Sequence, residues 1–163
     1  MCKNELANPF GLTEIREAQE SLKGILTPTP LQYAANLSDL FNAEVYLKLE
    51  CFQPVKSFKI RGAYNKIYGL REQEKERGLV TASSGNHGIA VAYVAKLLKI
   101  NATICVPSLA SKNKISNIKK FGATVIEHGA SYDEAYLIAQ KIQGETGSIL
   151  VHPFDDPKVV AGQ

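Results

Sequence analysis

The sequence predicts an α/β chain built on a parallel, doubly wound sheet with flanking helices, and three observations carry that prediction. Strand candidates at 79–82, 102–106, 124–127 and 149–151 alternate with helical stretches at 86–99, 111–121 and 131–145. That alternation belongs to sheets whose crossovers are helices. Pro107 and Gly122 punctuate the junctions, closing a strand and a helix. Finally, Ser131-Tyr-Asp-Glu134 reads as a capping box, in which hydroxyl and carboxylate satisfy the free amides of a helix start.

Residues 13–23 (TEIREAQESLK) form a polar helix, broken by ILTPTPL at 25–31 because proline disfavours helix at and before its own position. A short helix follows at 35–42. In Glu44–Glu50, Val45, Leu47 and Leu49 alternate with polar neighbours, a strand signal. Phe58, Ala63, Ile67 and Leu70 fall near helical spacing across 58–76, and Gly78 stops the run. Residues 78–155 therefore read as a small α/β domain. Residues 1–77 read as part of a different, incomplete layer that needs partners from elsewhere, and 156–163 as the start of a return to it. Val159–Gln163 has no capping feature and reads as an interrupted chain.

The 163 residues are 45% hydrophobic and 21% charged, ordinary for a globular chain of one or one and a half domains. A net charge of +3 is too small to argue for nucleic acid. The lysines at 112, 114, 119 and 120 read as a solvated helix face. No apolar run approaches the roughly 20 residues that span a bilayer, and MCKNELANPF lacks the apolar region of a signal peptide. Cys2, Cys51 and Cys105 form no CxxC and have no nearby His pair, which argues against zinc and a disulfide framework and for a reducing, cytoplasmic compartment.

Two segments carry candidate chemistry. In Gln53–Ala63, Lys59 stands at a helix start, where the positive end of the helix and nearby Lys56 and Arg61 disfavour an ammonium. A depressed lysine is what Schiff-base chemistry requires, because only the neutral amine attacks a carbonyl. On spacing alone, a basic helix start facing solvent reads more naturally. In Ala82-Ser-Ser-Gly-Asn-His-Gly88, a strand-to-helix turn offers backbone N–H groups to a carboxylate or phosphate; a plain structural turn is the alternative. His87 reads as a general base or, more simply, as a structural histidine. No carboxylate pair, Ser-His-Asp set or GxxxxGK[ST] loop occurs.

Together these segments resemble the fold-type II pyridoxal 5'-phosphate (PLP) enzymes, in particular the threonine dehydratase and serine racemase group. The matching residues are Thr29-Pro-Leu31, Ser57–Ala63, Ser84–His87, His152–Asp156 and Val160–Gln163. The cysteine synthases are less similar, since they usually place Asp and Thr where this chain has Ile60 and His87. The resemblance implies a tryptophan-synthase-β-like fold, with 1–77 and 156–163 in the larger PLP-binding domain. It implies that Lys59 binds the cofactor and removes the Cα proton, that Phe58 packs beside it and that Asn86 bonds its ring hydroxyl. Ser83, Ser84, Gly85 and His87 would receive the substrate carboxylate. The substrate would be a small β-hydroxy amino acid, threonine giving 2-oxobutanoate and ammonia, and the enzyme a soluble homo-oligomer binding neither nucleic acid nor membrane.

Val55-Lys56 and Tyr64-Asn65 resemble the biosynthetic threonine dehydratases, whereas many other members of the family carry Thr-Gly in place of Val55-Lys56. Ser84 resembles serine racemase, in which it serves as the acid–base opposite the lysine. Dehydratase is the first expectation and racemase the second. A third, of another class, is a truncated non-catalytic α/β remnant or ligand-binding fragment. The family's glycine-rich phosphate loop and pyridine-nitrogen partner lie further along the chain than these residues.

Overall fold

A computed structural model describes residues 11–163; the sequence readings on Cys2 and the N-terminal MCKNELANPF lie outside the described residues. In chain order the elements are α1 (Leu12–Leu22), β1 (Leu31–Tyr33), α2 (Ala35–Phe41), β2 (Tyr46–Lys48), α3 (Lys59–Tyr68), α4 (Glu72–Glu76) and β3 (Leu79–Ala82). They continue with α5 (Asn86–Leu98), β4 (Ala102–Val106), α6 (Lys112–Lys120), β5 (Thr124–Glu127), α7 (Tyr132–Thr146), β6 (Ile149–Leu150) and α8 (Pro157–Gly162). A single 3-10 turn covers Glu50–Phe52. No helix among the described residues is long and apolar enough to cross a membrane.

The parallel doubly wound sheet is present. Strands β3 to β6 form one sheet in the order β5-β4-β3-β6, with β3 parallel to β4 and β6, and β4 parallel to β5. The chain leaves β3 toward β4 and β5, then returns to pair β6 on the opposite edge of β3. Successive residues of β3 and β4 face opposite layers, so both strands are buried on both sides. Leu79, Ala102, Ile104 and Val106 join the core formed with α3, α5 and α6. Val80, Ala82 and Cys105 pack with Ala135 and Ala139 of α7 on the other face.

Three elements differ from the sequence expectation. The stretch at 58–76 is two helices: α3 ends at Tyr68, and α4 starts afresh where the Arg71 amide bonds the Glu74 carboxylate at 2.8 Å. Leu31–Tyr33, beyond the prolines, is a strand that pairs antiparallel with β2. Its partner is short, because the backbone turns into the 3-10 turn at Glu50. Helix α8 has no counterpart in the sequence reading; Asp156 caps it, accepting from the Lys158 amide at 2.9 Å, and Pro157 occupies its first position.

The α3 layer finds its partner within this chain. Ile60, Ala63, Tyr64 and Ile67 belong to the same buried cluster as Ile89, Val91 and Val94 of α5, so one core runs across the 77/78 boundary. By contrast, β1 and β2 are exposed along their length.

Candidate active site

Lys59 is the first residue of α3, and the preceding loop is held from several sides. Gln53, Val55 and Ser57 are buried, and the Ser57 hydroxyl accepts from the Lys59 amide at 3.3 Å. Two residues further on, Arg61 forks onto Glu50, donating from Nε at 2.9 Å and from its terminal nitrogen at 2.7 Å. Thr29 donates to the same carboxylate at 2.6 Å. The guanidinium beside it is the first reason the Glu50 carboxyl is held down at about 2.

The Lys59 ammonium position is defined by two acceptors. Nζ donates to the Pro153 carbonyl at 2.8 Å and to Gln163 Oε1 at 3.2 Å, and lies 5.3 Å from the centre of the Phe58 ring. Loss of water around Nζ lowers the Lys59 pKa below that of an ordinary lysine. The cause expected from sequence was the helix start together with Lys56 and Arg61. In the structure Arg61 is engaged by Glu50, and burial is what acts on Lys59.

The Ser83–Gly88 turn leaves the carboxyl end of β3. Its first hydroxyl, on buried Ser83, accepts from the Gly85 amide at 3.2 Å. Helix bonding in α5 begins with the Ile89 amide on the Gly85 carbonyl at 3.3 Å, so the amides of Asn86, His87 and Gly88 have no intrahelical acceptor. Gly88 seats this helix start on the sheet: a Cβ there would lie 2.9 Å from the Ser83 carbonyl oxygen and 3.0 Å from Ile104. Ser84 is half-buried and Asn86 is exposed. One lysine of the expected solvated face stands close by, since a Cβ on Gly85 would be 3.9 Å from Lys114 Nζ.

His87 is turned inward, only 3% exposed, with Nε2 2.9 Å from the Val151 carbonyl oxygen. A carbonyl only accepts, so Nε2 carries the proton and Nδ1 is a buried acceptor without a partner. Burial, ahead of the charges of Lys59 and His152, pushes the His87 pKa down to about 4. The imidazole of His87 therefore fastens the helix to the sheet, and the part of His87 left without an intrahelical acceptor is its backbone amide.

These two motifs meet on the segment that leaves β6. Val151 accepts from His87 and, at 2.7 Å, from Thr81 Oγ1; Pro153 accepts from Lys59. Strands β3 and β6 are parallel neighbours, and both segments leave their carboxyl ends, the end of an open α/β sheet at which ligands bind. A groove of about 760 Å³ runs along α1 and α8 and borders Phe58, Arg61 and Gln163, beside this convergence. No cluster of three metal-ligating side chains occurs among the described residues.

Sequence reasoning missed Glu50, Val151, Pro153 and Gln163 as parts of the site. Two of them act through backbone carbonyls, which carry no residue signature. Gln163 and the 152–156 stretch carry part of the family resemblance, but their proximity to Lys59 depends on the β6–α8 connection.

Comparison with known proteins follows the same lines. Residues 22–163 match the family model described as pyridoxal-phosphate dependent enzyme. The chain is 49% identical over 152 residues to the L-threonine ammonia-lyase of Thermotoga maritima, covering 93% of this chain and 38% of that protein. It is 40% identical to a serine racemase of Oryza sativa subsp. indica, covering 91% of this chain and 44% of that one. The structure of maize serine racemase superposes with a TM-score of 0.86 at 37% identity, covering 92% of this chain and 46% of the maize chain. The chain thus spans less than half the length of these relatives.

Proposed function

The chain belongs to the pyridoxal-phosphate dependent enzyme family, and from that membership we propose that it carries the lysine and carboxylate-binding turn of a threonine (serine) ammonia-lyase. The observation that supports this most directly is the convergence of Lys59 and His87 on the Val151–Pro153 segment. The residues fit one side of the cofactor. A desolvated lysine amine suits its aldehyde, and the free amides at the start of α5 suit a substrate carboxylate. In the family the phosphate loop and the ring-nitrogen partner lie beyond the matched residues.

When bound, PLP supplies the electron sink that makes the substrate Cα–H acidic. This chain's residues supply position and proton transfer. Lys59 would hold the cofactor through its neutral amine and, once displaced by the substrate's own amine, would be free to accept the Cα proton at Nζ. The free amides from Asn86 to Gly88 and the Ser83 and Ser84 hydroxyls would hold the carboxylate, with the Gly85 amide becoming available only if it leaves Ser83 Oγ, and with Lys114 adding positive charge nearby. Asn86 would bond the ring hydroxyl, and Phe58 would pack against the cofactor. Loss of the α-proton and β-hydroxyl, then hydrolysis of the released enamine, converts threonine to 2-oxobutanoate and ammonia. Serine gives pyruvate and ammonia.

Ser84 supports the second reading, serine racemase, because a half-buried hydroxyl in this turn can shuttle a proton on the face opposite Lys59. We further propose that 1–77 and 156–163 belong to the larger cofactor domain and 78–155 to the small one. The contacts of α8 with α3 support the return of 156–163 to the 1–77 part, while α3 also packs on α5, so the two parts share a buried interface. The free Cys51 and Cys105 suit a reducing, cytoplasmic setting.

The test is an absorbance spectrum of the chain with added PLP before and after borohydride, alongside Lys59→Ala. A visible band fixed by borohydride on Lys59, lost in the variant, supports the reading. Keto-acid release from threonine or serine separates lyase from racemase. Absence of specific capture favours the non-catalytic, ligand-binding alternative for this chain.

A further inference from the structure

Lys59 points along the same face of α3 as Gly62, Asn65 and Lys66, and every one of these residues meets α8 or its flanks. Lys66 pairs with Asp156 at 2.6 Å. Asn65 donates to the Lys158 carbonyl at 2.8 Å and accepts from Ser21 at 2.8 Å. Gly62 lies directly under the Val159 carbonyl and Gln163: a Cβ there would run into the former and come within 2.8 Å of Gln163 Cγ. A Cβ on Gly162 would lie 2.9 Å from Gly62 Cα. The two glycines thus set a close approach that no larger residue permits, and it brings the Gln163 amide to Lys59.

We propose that Gln163 is a positioning residue for Lys59, acting with the Pro153 carbonyl to aim the lone pair of the neutral amine. The inference rests on the reading of Lys59 as the carbonyl-capturing lysine. A neutral amine has two N–H bonds and one lone pair in tetrahedral array. Both acceptors, at 2.8 and 3.2 Å, take the two hydrogens. The lone pair then points away from α8 and the 151–153 segment. With one acceptor removed, the amine spins about its terminal bond and the lone pair is aimed only part of the time.

The charged groups packed around the amine are mostly paired, and Asp155, beyond Pro153 in the chain, is exposed to solvent. Glu50 and Arg61 pair with each other, and Asp156 pairs with Lys66. His87 from α5 is neutral, and His152 accepts the amides of Phe154 and Asp155 at Nδ1. A carboxylate in place of the Gln163 amide would therefore put a counter-charge within hydrogen-bond reach of Nζ.

Competitive labelling of the whole chain with acetic anhydride, read lysine by lysine in mass spectra across pH, tests this without PLP. Each lysine yields an apparent pKa and a limiting rate. For Gln163→Glu, the Lys59 midpoint should rise by about one unit, with Lys96 unchanged. For Gln163→Leu, which keeps bulk without an acceptor, the limiting rate at Lys59 should fall by about threefold to fivefold. Gly62→Ala, which pushes Gln163 away without altering it, should reproduce the Gln163→Leu rate. Lys59 profiles in Gln163→Glu and Gln163→Leu that superpose on the parent profile would overturn the proposal. Borohydride capture with PLP, run on the same samples, reports separately on the family role of Lys59, so a failure there is distinguishable from a failure of the positioning role.

Discussion

Lys59 and His87 bond carbonyls two residues apart on one segment: Nζ on Pro153 at 2.8 Å and Nε2 on Val151 at 2.9 Å. Two helix starts from different parts of the chain are thereby registered to the exit of β6. One carries the amine, the other the free amides. Anything that moves 151–153 moves both halves of the candidate site together.

The histidine half of that link has a pH signature. With its pKa depressed to about 4, folded His87 stays neutral while the unfolded chain takes up a proton below about 6.5. A group whose folded pKa lies below its unfolded value stabilises fully above the unfolded one. Stability should therefore hold above pH 6.5 and decline as pH falls toward 4, by on the order of 3 kcal/mol. Urea midpoints across that window, compared with His87→Gln, isolate the contribution: the glutamine variant should lose less stability between pH 7 and 4.5.

Glu50 works in a lower window. Its carboxyl is held at about 2, chiefly by the Arg61 fork, so its stabilisation is present above about 4.5 and is lost as pH falls toward 2. Glu50→Gln keeps the shape but halves the fork and leaves a part-buried guanidinium without its counter-charge. The expected loss is about 1.5–3 kcal/mol at neutral pH. Because Arg61 sits in the first turn of α3, slower capture of PLP by Lys59 should accompany it. An unchanged unfolding midpoint in Glu50→Gln would contradict a stabilising role for the fork.

Lys56 has φ of 58°, in the left-handed region that only glycine enters without strain. The family resemblance sets Thr-Gly where this chain has Val55-Lys56, and a glycine there would meet no strain at such a φ. Lys56→Gly should raise stability by up to about 1 kcal/mol, the relief being partly offset by the freedom glycine gains when unfolded. Lys56→Val, with a branched Cβ, should lower it. Thermal midpoints of the two variants should move in opposite directions.

Much of the fold is readable because it follows from periodicity and punctuation. Ser131 and Glu134 announce α7, and the hydroxyl does accept from the Glu134 amide at 3.2 Å. Strands 79–82, 102–106 and 124–127 need only apolar runs ending in turn residues. The elements that escape such a reading depend on contacts distant in sequence. Strand β1 exists because Tyr46–Lys48 pairs with it, and its three residues carry no periodicity of their own. Helix α8 is fastened by Gly62, Asn65 and Lys66, about a hundred residues upstream. In the site, Lys59 and the Ser83–His87 turn are legible as motifs. The inward direction of His87 is not, because it depends on where β6 ends.

Local stability should follow the core rather than the order of the chain. The sequence suggests that residues 1–77 need partners from elsewhere, yet Ile60, Ala63, Tyr64 and Ile67 are buried against α5 in one continuous core. Buried, densely packed helices open only with the global transition, whereas exposed ribbons open locally at little cost. Amide exchange in α3 should therefore be as slow as in α5, β3 and β4. The β1–β2 ribbon should exchange orders of magnitude faster, since Leu31, Tyr33, Tyr46 and Leu47 are all exposed and, among the described residues, the two strands pair only with each other. Ile60→Ala removes a fully buried side chain at the α3–α5 contact and should cost about 2–5 kcal/mol, accelerating exchange in both helices together. Acceleration confined to α3, with α5 unmoved, would mean that the two helices unfold as separate units and that the core divides at the 77/78 boundary.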